Sequence, residues 1–280
     1  MFVTALLTSL WVALSVWSGG RWAPLSRLAA SLEWRPTAPG VSWSEARISG
    51  PGEAWRIRLI VTRLDPHQVR FRLDRAPGWS IDRAPEAALL AINAGQFTNG
   101  LPWGWTVTDG RLQNLAGTGP LSVGVAFDSS GAVRWLEPEA LRDPRAQLGV
   151  AAGFQSYPRL LADGVMPLPL LEEGRGVDLT HRDARLALGQ DRGGNILVAL
   201  TRFDGAGGAL DFVPFGLTVP EMAAVMQALG ARNAVLLDGG ISGQMLIREG
   251  TESRRWRGLR AVPLGLLAIS RSERAGAHSR

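Results

Sequence analysis

The chain contains no cysteine and no lysine. Without cysteine it has no disulfide framework, no zinc–thiolate site and no thiol nucleophile, so redox chemistry gives no information about its compartment. All thirty basic residues are arginine, which we attribute to coding bias. They are interleaved with acids rather than clustered into the basic stripe that nucleic-acid binding requires, although the net charge is +5. We therefore predict no nucleic-acid partner, whereas an acidic or phosphorylated small substrate is compatible with this charge.

Histidine is also scarce, and the common catalytic motifs are missing. The three histidines stand at positions 67, 181 and 278 and do not have the spacing of metal ligands, and we interpret His181 as a surface residue. The sequence has no glycine-rich phosphate loop ending in lysine, no serine elbow and no zinc-ligand pair. We predict neither a metal site nor a cofactor.

The N-terminus begins with an uncharged apolar run. Residues 2–17 carry no charge and are followed by small residues, and a run of about sixteen residues is shorter than the roughly 20 needed to span a bilayer. We predict a signal peptide or N-terminal anchor over residues 1–20, and export to the extracellular space or the cell envelope. Arginines at positions 21, 27 and 35 favour the alternative, a retained membrane anchor through residues 2–17, because positive charge after the run resists translocation.

Short apolar runs separated by 34 glycines and 17 prolines indicate a strand-rich fold. We predict a mixed α/β (α+β) fold with twisted, largely antiparallel sheets and a few helices. Residues 21–53 are predicted to form a linker or lead-in, residues 54–270 the folded domain, and residues 271–280 a disordered tail. Two opening strands, at 55–61 and 69–73, are predicted to pair with each other. Further strands are predicted at 88–92, 104–108, 121–127, 133–136, 149–154, 186–189, 196–201 and 262–269.

One amphipathic helix has clear start and stop signals. Thr218 is suited to the N-cap, Pro220 and Glu221 to the first turn, and Gly230 to the position after the last turn. The apolar run that follows, residues 234–237, is short and has the pattern of a strand buried on both faces. The sequence thus predicts a helix that leads into a buried central strand.

Asp238 closes this predicted strand and precedes Gly239 and Gly240. A carboxylate at the end of a buried strand opens onto the crevice where ligands commonly bind, and adjacent glycines let a substrate approach the backbone. An Asp-Gly pair between strands is also a common turn, which is how we interpret Asp109, Asp163 and Asp204. On its residues alone, Asp238 is compatible with a site and with a turn.

Three other segments carry groups suited to substrate binding. Asn93 ends an apolar strand near Gly95, where it either contacts a ligand or forms an Asx-turn. Trp103 is suited to stack on a sugar ring or to fill the core. Arg185 is suited to hold a phosphate with two hydrogen bonds, or to face solvent on a strand.

Taken in order, several motifs along the chain resemble those of the phosphodiester glycosidase family. The similar segments are Asn93 to Phe97, Gly104 to Gly110, Pro158 to Gly164, Arg185 to Gly189, Gly216 to Glu221, Leu229 to Ala231, Leu237 to Gly240 and Arg260 to Pro263. They span about residues 55–270, and several ordered motifs are more specific than a single Asp-Gly-Gly. The chain departs from the family pattern at Gln96, Leu186, Ile241 and Gly243.

The resemblance implies a mixed α/β fold and hydrolysis of a sugar-1-phosphodiester, as in the enzyme that uncovers mannose 6-phosphate by removing N-acetylglucosamine. Asp238 and Arg185 match family motifs, and we hypothesise that Asp238 acts as base or nucleophile, that Arg185 holds the phosphate charge, and that Asp109 or Glu221 supplies a second carboxylate. The positions that match substrate-pocket motifs are Asn93, Gly95, Gly239, Gly240 and Ser242, and Trp103 is added as a stacking residue.

Two alternatives follow from the same residues. One is a cell-envelope glycan-binding module without catalysis, which Ile241, Gly243 and the abundant tryptophan favour. The other is a phosphodiesterase that cleaves the phosphorus–oxygen bond, because the same arginine would serve it. The predicted partner is in each case a carbohydrate of the cell envelope or extracellular space, phosphorylated if the protein is an enzyme. The sequence does not determine the oligomeric state.

Overall fold

The computed structural model describes residue 25 and residues 27–49, 56–119 and 121–271. The signal peptide or anchor predicted at residues 1–20 and residues 272–280 of the predicted tail (271–280) lie outside these ranges, whereas Arg271 is described. Within them, no helix is long and apolar enough to cross a membrane.

The described residues fold mainly into β-strands. In chain order the strands are β1 (Arg35–Ala38), β2 (Val41–Ser49), β3 (Arg56–Leu64), β4 (Val69–Trp79), β5 (Ala88–Asn93), β6 (Gln96–Thr98), β7 (Leu101–Trp103), β8 (Thr106–Thr108), β9 (Arg111–Asn114), β10 (Val123–Asp128), β11 (Val133–Leu136), β12 (Val150–Ser156), β13 (Arg159–Leu161), β14 (Leu186–Asp191), β15 (Ile196–Phe203), β16 (Ala231–Leu236), β17 (Met245–Glu249), β18 (Glu252–Trp256) and β19 (Val262–Ser270). The α-helices are α1 (Leu28–Ser31) and α2 (Val219–Ala228), and short 3-10 helices lie at Ile81–Arg83, Ala140–Arg142, Pro144–Gln147, Leu168–Leu170 and Ala206–Gly208.

These strands form three sheets and a separate hairpin. The first sheet has the order β1-β2-β3-β15-β14-β16-β13, the second β11-β10-β12-β8-β9, and the third β18-β17-β5-β19-β4, while β6 and β7 form the hairpin. Neighbouring strands in the described part of the chain run antiparallel. The predicted mixed α/β fold with largely antiparallel sheets is confirmed.

The first sheet is covered on both faces. On one face it packs against the other two sheets around a core that includes Phe71, Phe127, Leu188 and Val235. On the other face α2 covers it with side chains such as Met222. This double coverage explains why the strands of the first sheet are apolar without strict alternation.

The predicted helix and the strand after it are confirmed. Thr218 caps α2 through a capping box: its hydroxyl accepts from the Glu221 N–H at 3.4 Å, and the Glu221 carboxylate accepts from the Thr218 N–H at 2.8 Å. Gly230, beyond the last turn, has a positive φ of 88°. The strand that follows, β16, is flanked by β14 and β13 and buries Ala234 and Val235 completely.

The predicted pairing of the two opening strands is wrong. β3 pairs with β2 on one side and β15 on the other, whereas β4 belongs to the third sheet and pairs with β19. Ile57, Leu59 and Ile60 of β3 are fully buried on its two faces, and its edges are occupied by β2 and β15. A short connection between two strands therefore joins different sheets here, and alternation within each strand carries no information about its partner.

The sheet begins earlier than the predicted lead-in allows. β1 and β2 lie inside residues 21–53 and form the edge of the first sheet, with β2 paired to β3 from Val41↔Leu64 to Ser49↔Arg56. The apolar alternation of Val41 and Trp43 is short and is followed by polar residues, so it gives a weak strand signal. Packing against β3 and the third sheet supplies the stability that this segment lacks locally.

Trp43 joins β2 to the hairpin formed by β17 and β18. It is fully buried, lies between the guanidinium groups of Arg35 and Arg254 at 5.1 and 4.8 Å, and contacts Trp256 with ring centroids 6.0 Å apart. Its indole N–H donates to Glu249. Cation–π and hydrogen-bond contacts thus connect the predicted lead-in to the third sheet.

We expect Trp43→Ala to lower the free energy of unfolding by about 3–5 kcal/mol, because it opens a cavity between two sheets. Chemical denaturation of purified protein measures this. Leu115→Ala is the control, since Leu115 is 79% exposed and its loss should change stability by less than about 0.5 kcal/mol. Equal stability of the two variants would show that β1 and β2 are not part of the cooperative domain.

Candidate active site

The loop that carries Asp238 connects β16 to β17 and is held by Asn93 and Gly95. The Asp238 N–H donates to the Gly95 carbonyl at 3.0 Å. The side-chain amide of Asn93 donates to the Asp238 carbonyl at 2.6 Å, and its oxygen accepts from the Gln244 N–H at 3.0 Å. Asn93, which is buried, therefore fixes both ends of the loop rather than forming an Asx-turn.

Gly239 and Gly240 allow this loop to pack against the segment from Asp183 to Arg185. A Cβ at Gly239 would lie 2.5 Å from the Ala184 carbonyl oxygen, and one at Gly240 would lie 2.7 Å from an Asp183 carboxylate oxygen. Gly240 has a positive φ of 56°, and its N–H donates to the Ala184 carbonyl at 2.7 Å. Glycine permits this approach at both positions without displacing a neighbour, and the approach brings Asp183 beside the Asp238 loop.

Asp183 and Asp238 line the same cavity of about 300 Å³. Asp183 Oδ1 and Asp238 Oδ2 are both buried and have no hydrogen-bond partner among the described residues. The cavity is lined by Gln96, Tyr157, Pro158, Gly176, Val177, Asp178, His181, Asp183, Arg185, Val219, Leu236, Leu237, Asp238 and Gly239. Asp183, Asp238 and the cationic Arg185 thus share one small space with a third carboxylate, Asp178, one oxygen of which accepts from backbone N–H groups of its own turn.

The environment raises the pKa of both carboxyl groups. Burial raises the pKa of Asp238, the Ser242 hydroxyl and the Arg260 charge oppose this, and the Asp183 charge adds to it. Burial also raises the pKa of Asp183, opposed by the Arg185 charge, the Ala184 N–H and His181. Paired carboxyl groups with perturbed pKa values in a cleft are typical of acid–base or nucleophilic sites.

Arg185 is held rigidly at the cavity by the backbone of neighbouring segments. Its Nε donates to the Leu217 carbonyl at 2.8 Å, one terminal nitrogen donates to the His181 carbonyl at 2.6 Å, and its backbone N–H donates to the Thr201 hydroxyl at 2.7 Å. Burial lowers the pKa of Arg185 and the Asp183 charge opposes this, but a guanidinium remains charged at neutral pH. A preorganised cation of this kind is suited to an anionic group.

Two further predicted residues lie around the cavity without lining it. Ser242 is buried, and its N–H donates to the Gly239 carbonyl at 2.9 Å, which tightens the loop. Trp103 packs edge-on against Tyr157 with ring centroids 5.1 Å apart. Tyr157, which sequence reasoning did not identify, is 43% exposed and lines the cavity.

The structure does not bring the two predicted second carboxylates to this cavity. Asp109 lies in the turn between β8 and β9, forms an exposed ion pair with Arg72 at 3.6 Å and lines a different cavity. Glu221 is 3% exposed, completes the capping box and pairs with Arg182 at 2.6 Å. Both carboxylates thus have a structural role, Asp109 in a surface ion pair and Glu221 in a helix cap and a buried ion pair.

Sequence reasoning missed Asp183 and placed His181 on the surface. His181 is 63% exposed, yet it lines the cavity with its Nε2 at 3.8 Å from an Asp183 carboxylate oxygen. The available signal was proximity in sequence, because Asp183 stands two residues before the motif residue Arg185. Proximity alone is a weak signal, because the contact with Gly240 that places Asp183 beside the Asp238 loop is visible only in the structure.

Comparison with known proteins identifies the family of the chain. Residues 86–269 match the sequence model of the phosphodiester glycosidase family. The chain belongs to this family. Its members are hydrolases, and the match covers every residue of the cavity described above. A comparison with curated proteins gives no match.

Solved structures of low sequence identity share the fold. A hypothetical protein from Synechocystis aligns with a TM-score of 0.64 at 17% identity, over 86% of this chain and 64% of that protein, so this chain spans less than two thirds of its length. The catalytic domain of zebrafish N-acetylglucosamine-1-phosphodiester alpha-N-acetylglucosaminidase aligns with a TM-score of 0.60 at 17% identity, over 86% of this chain and 88% of that one. A Burkholderia pseudomallei protein whose name describes it as exported aligns with a TM-score of 0.55 at 18% identity, over 78% of this chain and 75% of that one.

We expect Glu221→Ala to lower the free energy of unfolding by about 3 kcal/mol, because it leaves the Arg182 guanidinium buried without its carboxylate. Thermal or chemical unfolding measures this, with Glu139→Ala as the control at an exposed glutamate. If Glu221→Ala kept the control's stability but lost hydrolytic activity, Glu221 would have a chemical role instead.

Proposed function

We propose that this protein hydrolyses a sugar-1-phosphodiester by breaking the bond between the anomeric carbon and the phosphate oxygen. The observation that carries the proposal is the pair Asp183 and Asp238 in one small cavity with the fixed cation Arg185. Family membership supports a hydrolase, and the cavity chemistry supports this particular bond. Water adds its hydroxyl to the sugar, and the second product is a phosphate monoester.

Asp238 acts on the anomeric carbon, either directly as nucleophile or by deprotonating the attacking water. Glycoside hydrolysis uses two carboxyl groups in this way. Asp183 replaces Asp109 and Glu221 as the proposed second carboxyl group, because it alone of the three lies beside the Asp238 loop. A phosphate leaves readily without protonation, so Asp183 is not needed as an acid for the leaving group. Its proposed role is to orient the water molecule and to accept its proton.

Arg185 stabilises the negative charge of the departing phosphate. Two backbone carbonyls already fix its orientation, so little ordering is required when the substrate binds. The guanidinium donors that these carbonyls leave unused supply charge-assisted hydrogen bonds to phosphate oxygens. The same charge favours binding of an anionic substrate over a neutral glycoside.

The sugar ring packs against Tyr157, whose own ring is held by an edge-on contact with Trp103. Aromatic rings provide a broad apolar face for a sugar at low entropic cost. Ile241, where the family usually has glycine, is 42% exposed in the Asp238 loop and adds an apolar side chain near the site. We propose that this side chain narrows the range of accepted sugars, and that the substrates are phosphorylated glycans of the cell envelope or extracellular space.

Asp238→Asn and Asp183→Asn are each expected to lower kcat/KM by about 10²-fold or more, because each removes an ionisable group from the reacting centre. A sugar-1-phosphodiester screen with purified variants measures this. Asp109→Asn is the matched control, since Asp109 lies in an exposed turn that lines another cavity. Undiminished turnover by Asp238→Asn would remove Asp238 from the mechanism.

Hydrolysis in oxygen-18 water identifies the bond that breaks. Label in the sugar product is expected and means glycosidic cleavage. Label in the phosphate product would replace our proposal with phosphorus–oxygen cleavage. Tight binding of the same substrates without any product would instead support a glycan-binding module.

We expect kcat/KM to fall on the acidic side of the pH profile, with a midpoint above the usual pKa range of an aspartate. Asp238 must be ionised to act as base or nucleophile, so kcat/KM falls as the pH drops through its raised pKa. Arg260 opposes that rise, and Arg260→Gln should therefore shift the midpoint to higher pH. Arg142→Gln, at an exposed arginine outside the cavity, serves as control. A midpoint that stayed in place or moved to lower pH would contradict the role of Asp238.

A further inference from the structure

A second cavity, larger than that of Asp238, lies where the edge of the third sheet meets the second sheet. This cleft has a volume of about 960 Å³ and shares no lining residue with the Asp238 cavity. Its lining comes from β4, the β8–β9 turn, the end of β10 and the start of β12. The lining residues are Arg70, Phe71, Arg72, Asp109, Gly110, Arg111, Leu112, Asp128, Ser129, Gln147, Leu148, Gly149, Val150, Ala151 and Arg271.

Positive charge in this cleft is only partly neutralised. Of its four arginines, Arg72 pairs with Asp109 at 3.6 Å, whereas Arg70, Arg111 and Arg271 form no ion pair with any described residue. The other acidic residue, Asp128, has one carboxylate oxygen occupied by the N–H groups of residues 130, 131 and 132 of its own turn. Within the described ranges, three guanidinium groups of the cleft therefore have no carboxylate partner.

Two of these arginines also contain a buried donor without an acceptor. Arg70 Nε and Arg271 Nη2 are shielded from solvent and have no hydrogen-bond partner in the described part of the chain. Arg271 is fixed by bonds from its other nitrogens to the carbonyls of Pro66, Val69 and Ser129. Gln147 Oε1 is a buried acceptor without a described partner in the same lining. Unsatisfied buried donors are costly, so an anion that bonds to the two arginines would add stability.

The shape of the cleft favours a chain with several charges over a single anion. A volume of about 960 Å³ is in the range of sites that enclose drug-sized ligands. Arg70 and Arg72 stand at alternate positions of β4, so about 7 Å separates their backbones on one face of the strand. Aromatic stacking surfaces, which single-stranded nucleic acids require, are lacking in this lining, where the one aromatic residue, Phe71, is 6% exposed.

We propose that this cleft is a second binding site, which holds an anionic glycan chain through repeated phosphate or carboxylate groups. β12 connects it to the catalytic region, because Val150 at its start lines the cleft and Tyr157, directly after its end, lines the Asp238 cavity. Seven residues at about 3.3 Å each place the two sites roughly 20 Å apart. The binding site does not depend on the proposed hydrolysis and is tested without turnover.

Titration calorimetry of the full chain with oligogalacturonate and with inorganic polyphosphate tests this site. Neutral dextran and a single-stranded RNA serve as comparison ligands. We expect Arg70→Gln/Arg111→Gln to weaken anion binding about tenfold or more, and to reduce its dependence on salt, because two charge-assisted contacts are lost. Arg142→Gln/Arg192→Gln removes the same charge at exposed positions outside the cleft and should weaken binding much less.

Each outcome decides the proposal. Cleft-dependent binding of either anionic polymer supports it, and the polymer bound more tightly identifies carboxylate or phosphate as the recognised group. Arg111→Gln alone, at the exposed first residue of β9, repeats the test with little risk to folding. Absence of binding to both polymers, equal loss in cleft and control variants, or tighter binding of dextran or RNA would overturn it.

Discussion

The buried side-chain amide of Asn93 connects the third sheet to the loop that carries Asp238. Asn93 ends β5 in the third sheet, and its side chain bonds to Asp238 and Gln244 at the two ends of a loop that leaves the first sheet. Because Asn93 is 1% exposed, neither of its polar atoms has water as an alternative partner. The position of Asp238 therefore depends on how the first and third sheets pack against each other, and not on the loop alone.

The rest of the site follows from keeping two carboxylates close together against their repulsion. Gly239 and Gly240 remove the side chains that would separate the loop from Asp183. The guanidinium of Arg202, which is 3% exposed, donates to the carbonyls of Gly243 and Arg257 and fixes the far end of the same loop. The site is thus held by backbone contacts, which leaves a carboxylate oxygen of both Asp183 and Asp238 without a partner.

Arginine has distinct tasks in this lysine-free chain. Arg202 and Arg182 are largely buried and hold backbone carbonyls or a carboxylate, Arg35 and Arg254 enclose Trp43, and Arg185 presents charge to the cavity. The planar guanidinium suits these roles because it donates in several fixed directions and stacks on aromatic rings. An arginine's role is set by its neighbours, so a scattered distribution in sequence does not exclude a local concentration of charge such as the second cleft.

The sequence alone determined the features that depend on local chemistry: the alternating strands, the Thr218 cap of α2, the strand that ends before Asp238, and the ordered motifs of the family. Only the tertiary structure decided which strands pair, that β1 and β2 belong to the first sheet, and that Asp183 rather than Asp109 or Glu221 stands beside Asp238. The physical reason is that strand propensity, capping and turns act over a few residues. The environment of a carboxylate, in contrast, is made by segments far apart in the chain that meet only when the sheets pack.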